Sequence, residues 1–163
     1  MIRLAQTNDA NELSEIYNYY IENSVATFDE TTIAPQDMLN QVKQILDSDH
    51  LPWLVSLDPN QRITGYAYAS PWKTRSAYRF TTEITAYLSP DATGHGLGSR
   101  LYDALFADLK ERSIVNVLAC ISLPNPESIA LHEKFGLTKV AHFSKVGIKF
   151  DKWIDVGYWQ GTL

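Results

Sequence analysis

The spacing of apolar residues changes from a helical to a strand-like period near residue 52, and this change restricts the fold more than any other feature of the sequence. Before it, "NDANELSEIYNYYIENS" and "APQDMLNQVKQILDSD" have the pattern of amphipathic helices, with Asn8 or Asp9 as the expected N-cap of the first. After it, "PWLVSL", "RITGYAYAS" and "YRFTTEITAYLS" are rich in β-branched and aromatic residues and are separated by turn signals. The pattern therefore predicts two helices followed by three consecutive antiparallel strands.

The remainder of the chain predicts elements in an irregular order. "SRLYDALFADLKER" is typical of a helix, "VNVLACISL" of a buried strand, and "KVAHFSKVGIKFDKWIDVGYWQ" of two strands joined by a turn near "KFDKW". "NPESIALHEKFG" predicts a short helix, with Asn125 as N-cap, Pro126 in its first turn and Gly136 at its end. This order indicates an α/β (α+β) fold around one central sheet, and the length suits a single domain over residues 1–163.

The charge balance limits the partners to expect. The chain has 14 Lys and Arg against 19 Asp and Glu, a formal net charge of −5, and this field repels a polyanion. We therefore expect no nucleic-acid partner. A few oriented amide groups can still bind one phosphorylated small molecule, because a local field outweighs a weak global one.

Cysteine and histidine usage and hydropathy point to a cytoplasmic protein without a metal. The single Cys120 lies in the apolar run "VNVLACISL", where we expect it to be buried, and it has no partner for an intramolecular disulfide. The first residues lack the apolar segment of a signal peptide, and no run approaches the roughly 18 apolar residues of a membrane span. We therefore expect no membrane partner. The histidines outside the last helix lack the spacing of metal ligands, so we expect no metal site either.

The stretch "TGHGLGS", from Thr93 to Ser99, joins the third predicted strand to a helix and contains three glycines. Backbone amides without a neighbouring Cβ can approach a phosphate closely, and the beginning of a helix favours an anion. The alternative is a turn that needs positive φ. The spacing matches neither the dinucleotide motif G-x-G-x-x-G nor a P-loop.

The spacing does resemble the pyrophosphate-binding motif of the GNAT superfamily of N-acetyltransferases, Gln/Arg-x-x-Gly-x-Gly/Ala. Thr93 stands where that superfamily usually has Arg or Gln, which puts one side-chain contact in question while the backbone donors remain. "TTEITAYLS", "GLGSRLYDAL", "ISLPNPESIALHEKFG" and "VGIKFDKWIDVGYWQ" together resemble the phosphinothricin and methionine sulfoximine acetyltransferase family, and "ATFDE" resembles its N-terminal substrate loop. The similarity covers nearly the whole chain.

This resemblance implies the GNAT fold, a central mostly antiparallel mixed sheet flanked by helices. It also implies acetyl-CoA as co-substrate, a small primary amine related to an amino acid as acceptor, and a homodimer. Backbone amides at the end of the third predicted strand would bind the pantetheine and polarise the acetyl carbonyl. The residues implied to hold the cofactor are Ala86, Tyr87, Leu88, Thr93, Gly94, His95, Gly96, Leu97, Gly98, Ser99, Asn125 and Ser128.

Two residues are candidates for proton transfer. Glu83 lies within the apolar strand "TTEITAYL", where partial burial would raise its pKa, and it matches the family's catalytic Glu; a solvated outward-facing carboxylate is the alternative. As a base it would act directly or through water, or would only orient the ammonium. His132 follows Asn125 by seven residues, where the family typically has an active-site His, although a lone His on a packed helix face is commonly structural. The proton donor to the departing thiolate is left open between His132, Tyr102 and water.

The acceptor site is less constrained. Phe28, Arg75 and Thr85 are expected to bind the substrate beside Glu83, although Arg75 is equally consistent with a solvated loop residue. Trp72 would wall the pocket, and Lys149, Trp153 and Asp155 match the C-terminal motif of the family. Two other functions stay open: acetylation of a peptide N-terminus or polyamine, and a non-catalytic acyl-CoA-binding module.

Overall fold

The computed structural model describes residues 1–163 and contains four α-helices and seven strands. It confirms every helix and strand predicted from the sequence and adds one short strand at the beginning of the chain. A single π-helical turn, Gln44–Ser48, continues the second helix. The elements are β1 Ile2–Leu4, α1 Ala10–Asn23, α2 Pro35–Lys43, β2 Trp53–Leu57, β3 Ile63–Pro71, β4 Thr81–Leu88, α3 Leu97–Glu111, β5 Asn116–Leu123, α4 Pro126–Lys134, β6 Thr138–Lys149 and β7 Lys152–Thr162.

All seven strands form one mixed sheet in the order β1-β2-β3-β4-β5-β7-β6. Every neighbouring pair is antiparallel except β4 and β5, which are parallel and are connected by α3. Helix α1 packs on the face that carries Tyr87, whose ring lies 5.3 Å from that of Tyr17. None of the helices is both long and apolar enough to span a bilayer. The mixed, mostly antiparallel sheet is the architecture that the resemblance implied.

The core consists of the apolar stripes that the sequence predicted. Leu101, Leu105 and Leu109 on α3 are completely buried, and Leu13 on α1 is as well. Burying each such side chain contributes about 1.5–3 kcal/mol, so packing rather than intrinsic propensity stabilises these helices. The stripes pack against strand residues such as Val55, and together they enclose one contiguous core.

The helix boundaries follow the predicted chemistry at α4 but not at α1. The Asn125 side chain accepts a hydrogen bond from the Ser128 amide at 3.2 Å, and Gly136 takes a φ of 83° just after the helix. At α1 the N-cap residue is Asp9, as predicted, but its buried carboxylate binds the Arg3 guanidinium at 2.7 and 2.8 Å instead of the helix amides. Asp9 therefore ties β1 to the helix, a contact that local sequence does not encode.

Strands β6 and β7 form a hairpin at one edge of the sheet, and its turn is at Phe150 and Asp151, as predicted. Both turn residues have positive φ, 51° and 57°, as a tight two-residue hairpin requires. The hairpin exposes apolar side chains that no other element covers. We call this surface the hairpin patch; its members are Val140, Phe143, Val146, Ile148, Phe150 and Trp153, and they are 48–63% exposed.

Candidate active site

The main cavity opens where β4 and β5 separate. The two strands pair only from Thr81 with Asn116 to Glu83 with Leu118, and beyond that point they diverge. The gap leads into a cavity of about 790 Å³ that extends to the beginnings of α3 and α4. Most predicted site residues line it, although they come from distant parts of the chain: Phe28, Glu83, Thr85, Ala86, Tyr87, Leu88, Thr93, Gly94, Gly96, Leu97, Gly98, Ser99, Tyr102, Asn125, Ser128 and His132.

The separation leaves β4 amides without a strand partner. The Ser89 amide donates to the Thr64 carbonyl and the Thr81 carbonyl accepts from Trp72, so the odd-numbered residues of β4 hydrogen-bond to β3. Backbone groups alternate in direction along a strand, and the amides of Ala86 and Leu88 therefore point into the gap. The amide of Tyr87, predicted to bind the cofactor, faces β3 instead. The opening arises from the divergence of β4 and β5, since the register between β3 and β4 contains no bulge.

The glycine loop presents a second set of amides at the other end of the cavity. Gly94 and Gly96 have φ of 79° and 70°, and Gly96 is the residue immediately before α3. The first amides of a helix have no intrahelical acceptor, so those of Leu97, Gly98 and Ser99 are free to bind an anion. Space beside Gly98 is tight, because an added Cβ would lie 3.2 Å from Leu131.

Side chains add charge and order around this loop. The Lys134 amino group donates to the Ser99 hydroxyl at 2.8 Å, which brings a cation to the beginning of α3. His95, predicted to bind the cofactor, is exposed and does not line the cavity; its Nδ1 lies 2.7 Å from the Thr93 carbonyl oxygen. Lys134 was missed by sequence reasoning, because nothing in the local pattern of α4 marks a residue that contacts α3.

Glu83 stands at the point where the two strands separate. Its carboxylate is half-buried and lines the cavity, and burial raises its pKa, an effect that nearby Lys73 opposes. Thr85 follows on the same face of the strand. The carboxylate and the free amides of Ala86 and Leu88 thus lie along a few residues of one strand, which places a base close to donors for a developing oxyanion.

His132 and Tyr102 form a buried pair on the cavity wall. The Nδ1 of His132 lies 2.7 Å from the Ser128 carbonyl, and because a carbonyl only accepts, Nδ1 carries the proton. The other ring nitrogen then accepts from the Tyr102 hydroxyl, 2.8 Å away. Burial lowers the pKa of His132 and raises that of Tyr102, so both are neutral near pH 7. In this arrangement His132 has no proton to give to a leaving group.

Beyond Glu83, the cavity wall includes Cys120 and Ser122 of β5. Cys120 was expected in the core, but its side chain is exposed to the cavity because β5 lies beside the gap. Burial nevertheless raises the pKa of its thiol, since the cavity wall is less hydrated than the open surface. Tyr158 of β7 is its cross-strand neighbour. Glu83 and Cys120 together border the end of the cavity opposite the glycine loop.

Two residues predicted to surround the acceptor do not line the cavity. Arg75 is an exposed loop residue, so within one chain its guanidinium does not contact the space beside Glu83. Trp72 packs its edge against Tyr158, 5.4 Å between ring centroids, and carries Lys73 over its face at 4.6 Å. The loop after β3 has no periodic pattern from which the direction of these two side chains could be predicted.

Comparison with known proteins agrees with this geometry. The family described as "Acetyltransferase (GNAT) domain" matches residues 2–157. The chain is 38% identical over 159 residues to phosphinothricin N-acetyltransferase of Streptomyces viridochromogenes, covering 98% of this chain and 85% of the relative. It is 32% identical over 164 residues to the L-methionine sulfoximine/L-methionine sulfone acetyltransferase of Salmonella typhimurium, covering 99% and 94%.

A solved structure extends the similarity to three dimensions. The crystal structure of a GNAT superfamily phosphinothricin acetyltransferase from Sinorhizobium meliloti in complex with AcCoA superposes with a TM-score of 0.96 at 34% identity. The match covers 100% of this chain and 88% of that one.

Proposed function

The chain belongs to the GNAT acetyltransferase family and is an N-acetyltransferase, and from that premise we propose that it acetylates the primary amine of an amino acid or amino-acid analogue. The acceptors named for its relatives, phosphinothricin and methionine sulfoximine, define the class. The observation that carries the proposal is the position of Glu83: a half-buried carboxylate where β4 leaves β5, beside unpaired amides and inside the main cavity.

The residues around the cavity suit acetyl-CoA, which supplies an acetyl thioester when bound. The amides of Gly96, Leu97, Gly98 and Ser99 form an anion site at the beginning of α3. Gly94 and Gly96, with φ of 79° and 70°, place no Cβ beside this site. Asn125 and Ser128 line the cavity from α4. Thr93 lines it as well, and Ala86 and Leu88 present their amides along the path toward Glu83.

Glu83 performs the proton transfer in this proposal. An amine must be neutral to attack, and the α-amine of an amino acid has a pKa of about 8 in water, so near pH 7 most of it is an ammonium. Glu83 takes that proton directly or through one water, and the Ala86 and Leu88 amides stabilise the oxyanion as the amine attacks. A direct attack predicts sequential kinetics without an acetyl-enzyme.

The pair of Tyr102 and His132 has a positioning role in this proposal. His132 Nε2 accepts from Tyr102 and fixes that hydroxyl at the cavity wall, while both groups stay neutral. An ordinary thiol has a pKa of about 8.5, so near pH 7 water suffices to protonate the coenzyme A thiolate after it departs. Of the three donors that the sequence left open, His132, Tyr102 and water, this proposal therefore favours water.

The finer statements about partners and location are also proposals. Phe28 and Thr85 border the acceptor, which is a small molecule rather than a nucleic acid, in keeping with the net charge of −5. The hairpin patch supports a homodimer, since monomers seldom leave so many apolar side chains of one hairpin uncovered. A lone cysteine and the family's substrates support a cytoplasmic location.

The test is release of coenzyme A thiol from acetyl-CoA in the presence of single acceptors. The panel contains free amino acids, methionine sulfoximine, phosphinothricin, polyamines and short peptides. Turnover confined to amino-acid-like amines supports the proposal, whereas preference for peptides or polyamines replaces it with those acceptors. Binding of acetyl-CoA without turnover on any amine would indicate a non-catalytic binding module.

A further inference from the structure

Lys149 is a buried lysine that the proposed reaction does not use. Its side chain is 2% exposed, and its amino group donates to the main-chain carbonyl of Thr27 at 2.8 Å, across 122 residues of sequence. It forms no ion pair. Burying an amino group costs free energy of folding that one hydrogen bond offsets only in part. We therefore looked for a function of the contact between Lys149 and Thr27.

The carbonyl that Lys149 holds belongs to the segment 24–33 between α1 and α2, which we call the acceptor loop. Ala26, Thr27 and Phe28 of this loop line the cavity. The loop contains no helix or strand, so its position depends on side-chain contacts. The position of the cavity wall formed by these three residues therefore depends on the contacts that hold the loop.

Those contacts come from three elements. From α1, the Tyr17 hydroxyl lies 2.8 Å from the Thr27 hydroxyl, and the Asn18 amide bonds both main-chain groups of Ile33. From β5, the Ser122 hydroxyl donates to the Val25 carbonyl. From β6, Lys149 binds Thr27. Tyr17 and Asn18 are close to the loop in sequence, and Ser122 lines the cavity. Lys149 alone is distant in sequence and lies outside the cavity lining.

A second contact from β6 strengthens the connection. The Phe28 ring lies against Gly147, where an added Cβ would meet a ring carbon at 2.3 Å, so only glycine permits this packing. Strand β6 thus touches two adjacent loop residues, one through a hydrogen bond and one through an aromatic ring. Both residues face the cavity.

We propose that Lys149 is a positioning residue for the acceptor: by holding the Thr27 carbonyl it fixes the wall formed by Ala26, Thr27 and Phe28. The inference rests on the proposed function, because it assigns that wall to the amine rather than to acetyl-CoA. The cofactor amides lie on β4 and at the beginning of α3, and Lys149 contacts neither. Loss of the contact should therefore weaken acceptor binding selectively.

The test replaces Lys149 by Met, which keeps the length and removes the donor. We expect the KM for the acceptor to rise about tenfold, the equivalent of one buried hydrogen bond, while the KM for acetyl-CoA changes less than twofold. Hydrogen exchange should accelerate in residues 24–33 and nowhere else. Lys149→Arg should restore most of the acceptor affinity, because the adjoining cavity of about 390 Å³, bordered by Glu22, Glu30 and Asp151, has room for the longer head.

Lys152→Met is the matched control, since Lys152 pairs with Lys149 across the same hairpin but is exposed. It should behave as wild type. An acceptor KM within twofold of wild type in Lys149→Met overturns the proposal, and so does a joint rise of both KM values with faster exchange throughout the chain, which would indicate a general structural role. If the Met variant does not fold, Lys149→Gln is measured in its place against the same criteria. If the wild type acetylates no amine, the proposed function fails, and the exchange of residues 24–33 decides the positioning role separately.

Discussion

At the residue scale, the proposed mechanism depends on a carboxylate whose surroundings disfavour its charge. Glu83 is in an apolar strand, half-buried, and its pKa is raised because burial outweighs the attraction of Lys73. A raised pKa makes the carboxylate a better base near neutral pH but lowers the stability of the ionised folded state. Activity and stability are therefore expected to change in opposite directions when this charge is removed.

Glu83→Gln should lower kcat about 10²–10⁴-fold and leave acetyl-CoA binding nearly unchanged. In the wild type, activity should rise with pH through a limb above about 4.3, the ordinary pKa of a Glu, because the base works only when deprotonated. That limb should be absent from the variant. The Tm of the variant at pH 7 should equal or exceed the wild-type value, since the folded state no longer carries a disfavoured charge.

The measurements are rate profiles from pH 5 to 9, calorimetric binding of acetyl-CoA and thermal unfolding. Glu127→Gln is the control, because Glu127 also lines the cavity but lies on α4 and is exposed. Wild-type turnover in Glu83→Gln would remove Glu83 from the role of base.

The neutral pair of Tyr102 and His132 leads to a separate prediction. Tyr102→Phe and His132→Gln should each lower kcat/KM about five- to tenfold. The kcat/KM of the double variant should be no lower than that of the less active single variant, because each residue acts through the other. An imidazolium acid would lose activity as pH rises through its lowered pKa, below about 6.5. We expect no such loss between pH 5 and 6.5; a fall in kcat across that range, abolished by His132→Gln, would restore His132 as the acid.

At the element scale, local patterns predicted the helices and strands but not their long-range contacts. The stripe on α3 and the cap of α4 depend on neighbouring residues and were confirmed. The bond from Asp9 to Arg3 and the exposure of Cys120 depend on which strands meet or diverge. No periodicity encodes the point at which β4 leaves β5.

The same division applies to the site. The glycine loop and Glu83 could be singled out as candidates because each breaks a local rule, three glycines before a helix and a carboxylate in an apolar strand. Lys134 and Lys149 break no such rule, since lysines are ordinary at a helix end and in an edge strand. Their roles follow only from contacts with residues 35 and 122 positions away.

The beginning of α3 is the element that should determine acetyl-CoA affinity. Gly96→Ala places a Cβ at a φ of 70°, which costs about 1–2 kcal/mol in stability, and projects it into open space beside the amides. We expect the KM for acetyl-CoA to rise at least about tenfold, the result of losing one charge-assisted contact, with the acceptor KM unchanged. Steady-state kinetics with each substrate varied in turn would measure this.

Gly136→Ala provides the matched control for that variant. Gly136 has a φ of 83°, and its added Cβ also meets nothing within 4 Å, but it lies at the end of α4 outside the cavity lining. Both variants should lose similar stability, and only Gly96→Ala should lose acetyl-CoA affinity. Equal kinetic effects would show that the loop acts through stability alone.

At the scale of the whole molecule, the sheet has two edges of different character. One edge is β1, a short strand, and the other is β6, whose side chains contribute most of the hairpin patch. A long exposed edge strand with apolar side chains requires a cover or risks uncontrolled association. The hairpin that presents this patch also carries Lys149 and Gly147, which touch the acceptor loop. Oligomeric state and acceptor binding are therefore expected to be linked.

The last prediction tests that link. Replacing Ile148 and Trp153 together by Asp should convert a dimer into a monomer by multi-angle light scattering, because two charges replace apolar side chains that are 50% and 63% exposed in one chain. Leu4→Asp, a change of the same kind at the opposite edge of the sheet, should leave the dimer intact. In the monomer the hairpin loses its cover, so the acceptor KM should rise more than the KM for acetyl-CoA.

A monomeric wild type would refute the homodimer, and a monomeric variant with an unchanged acceptor KM would show that the hairpin holds the acceptor loop without help from a second subunit.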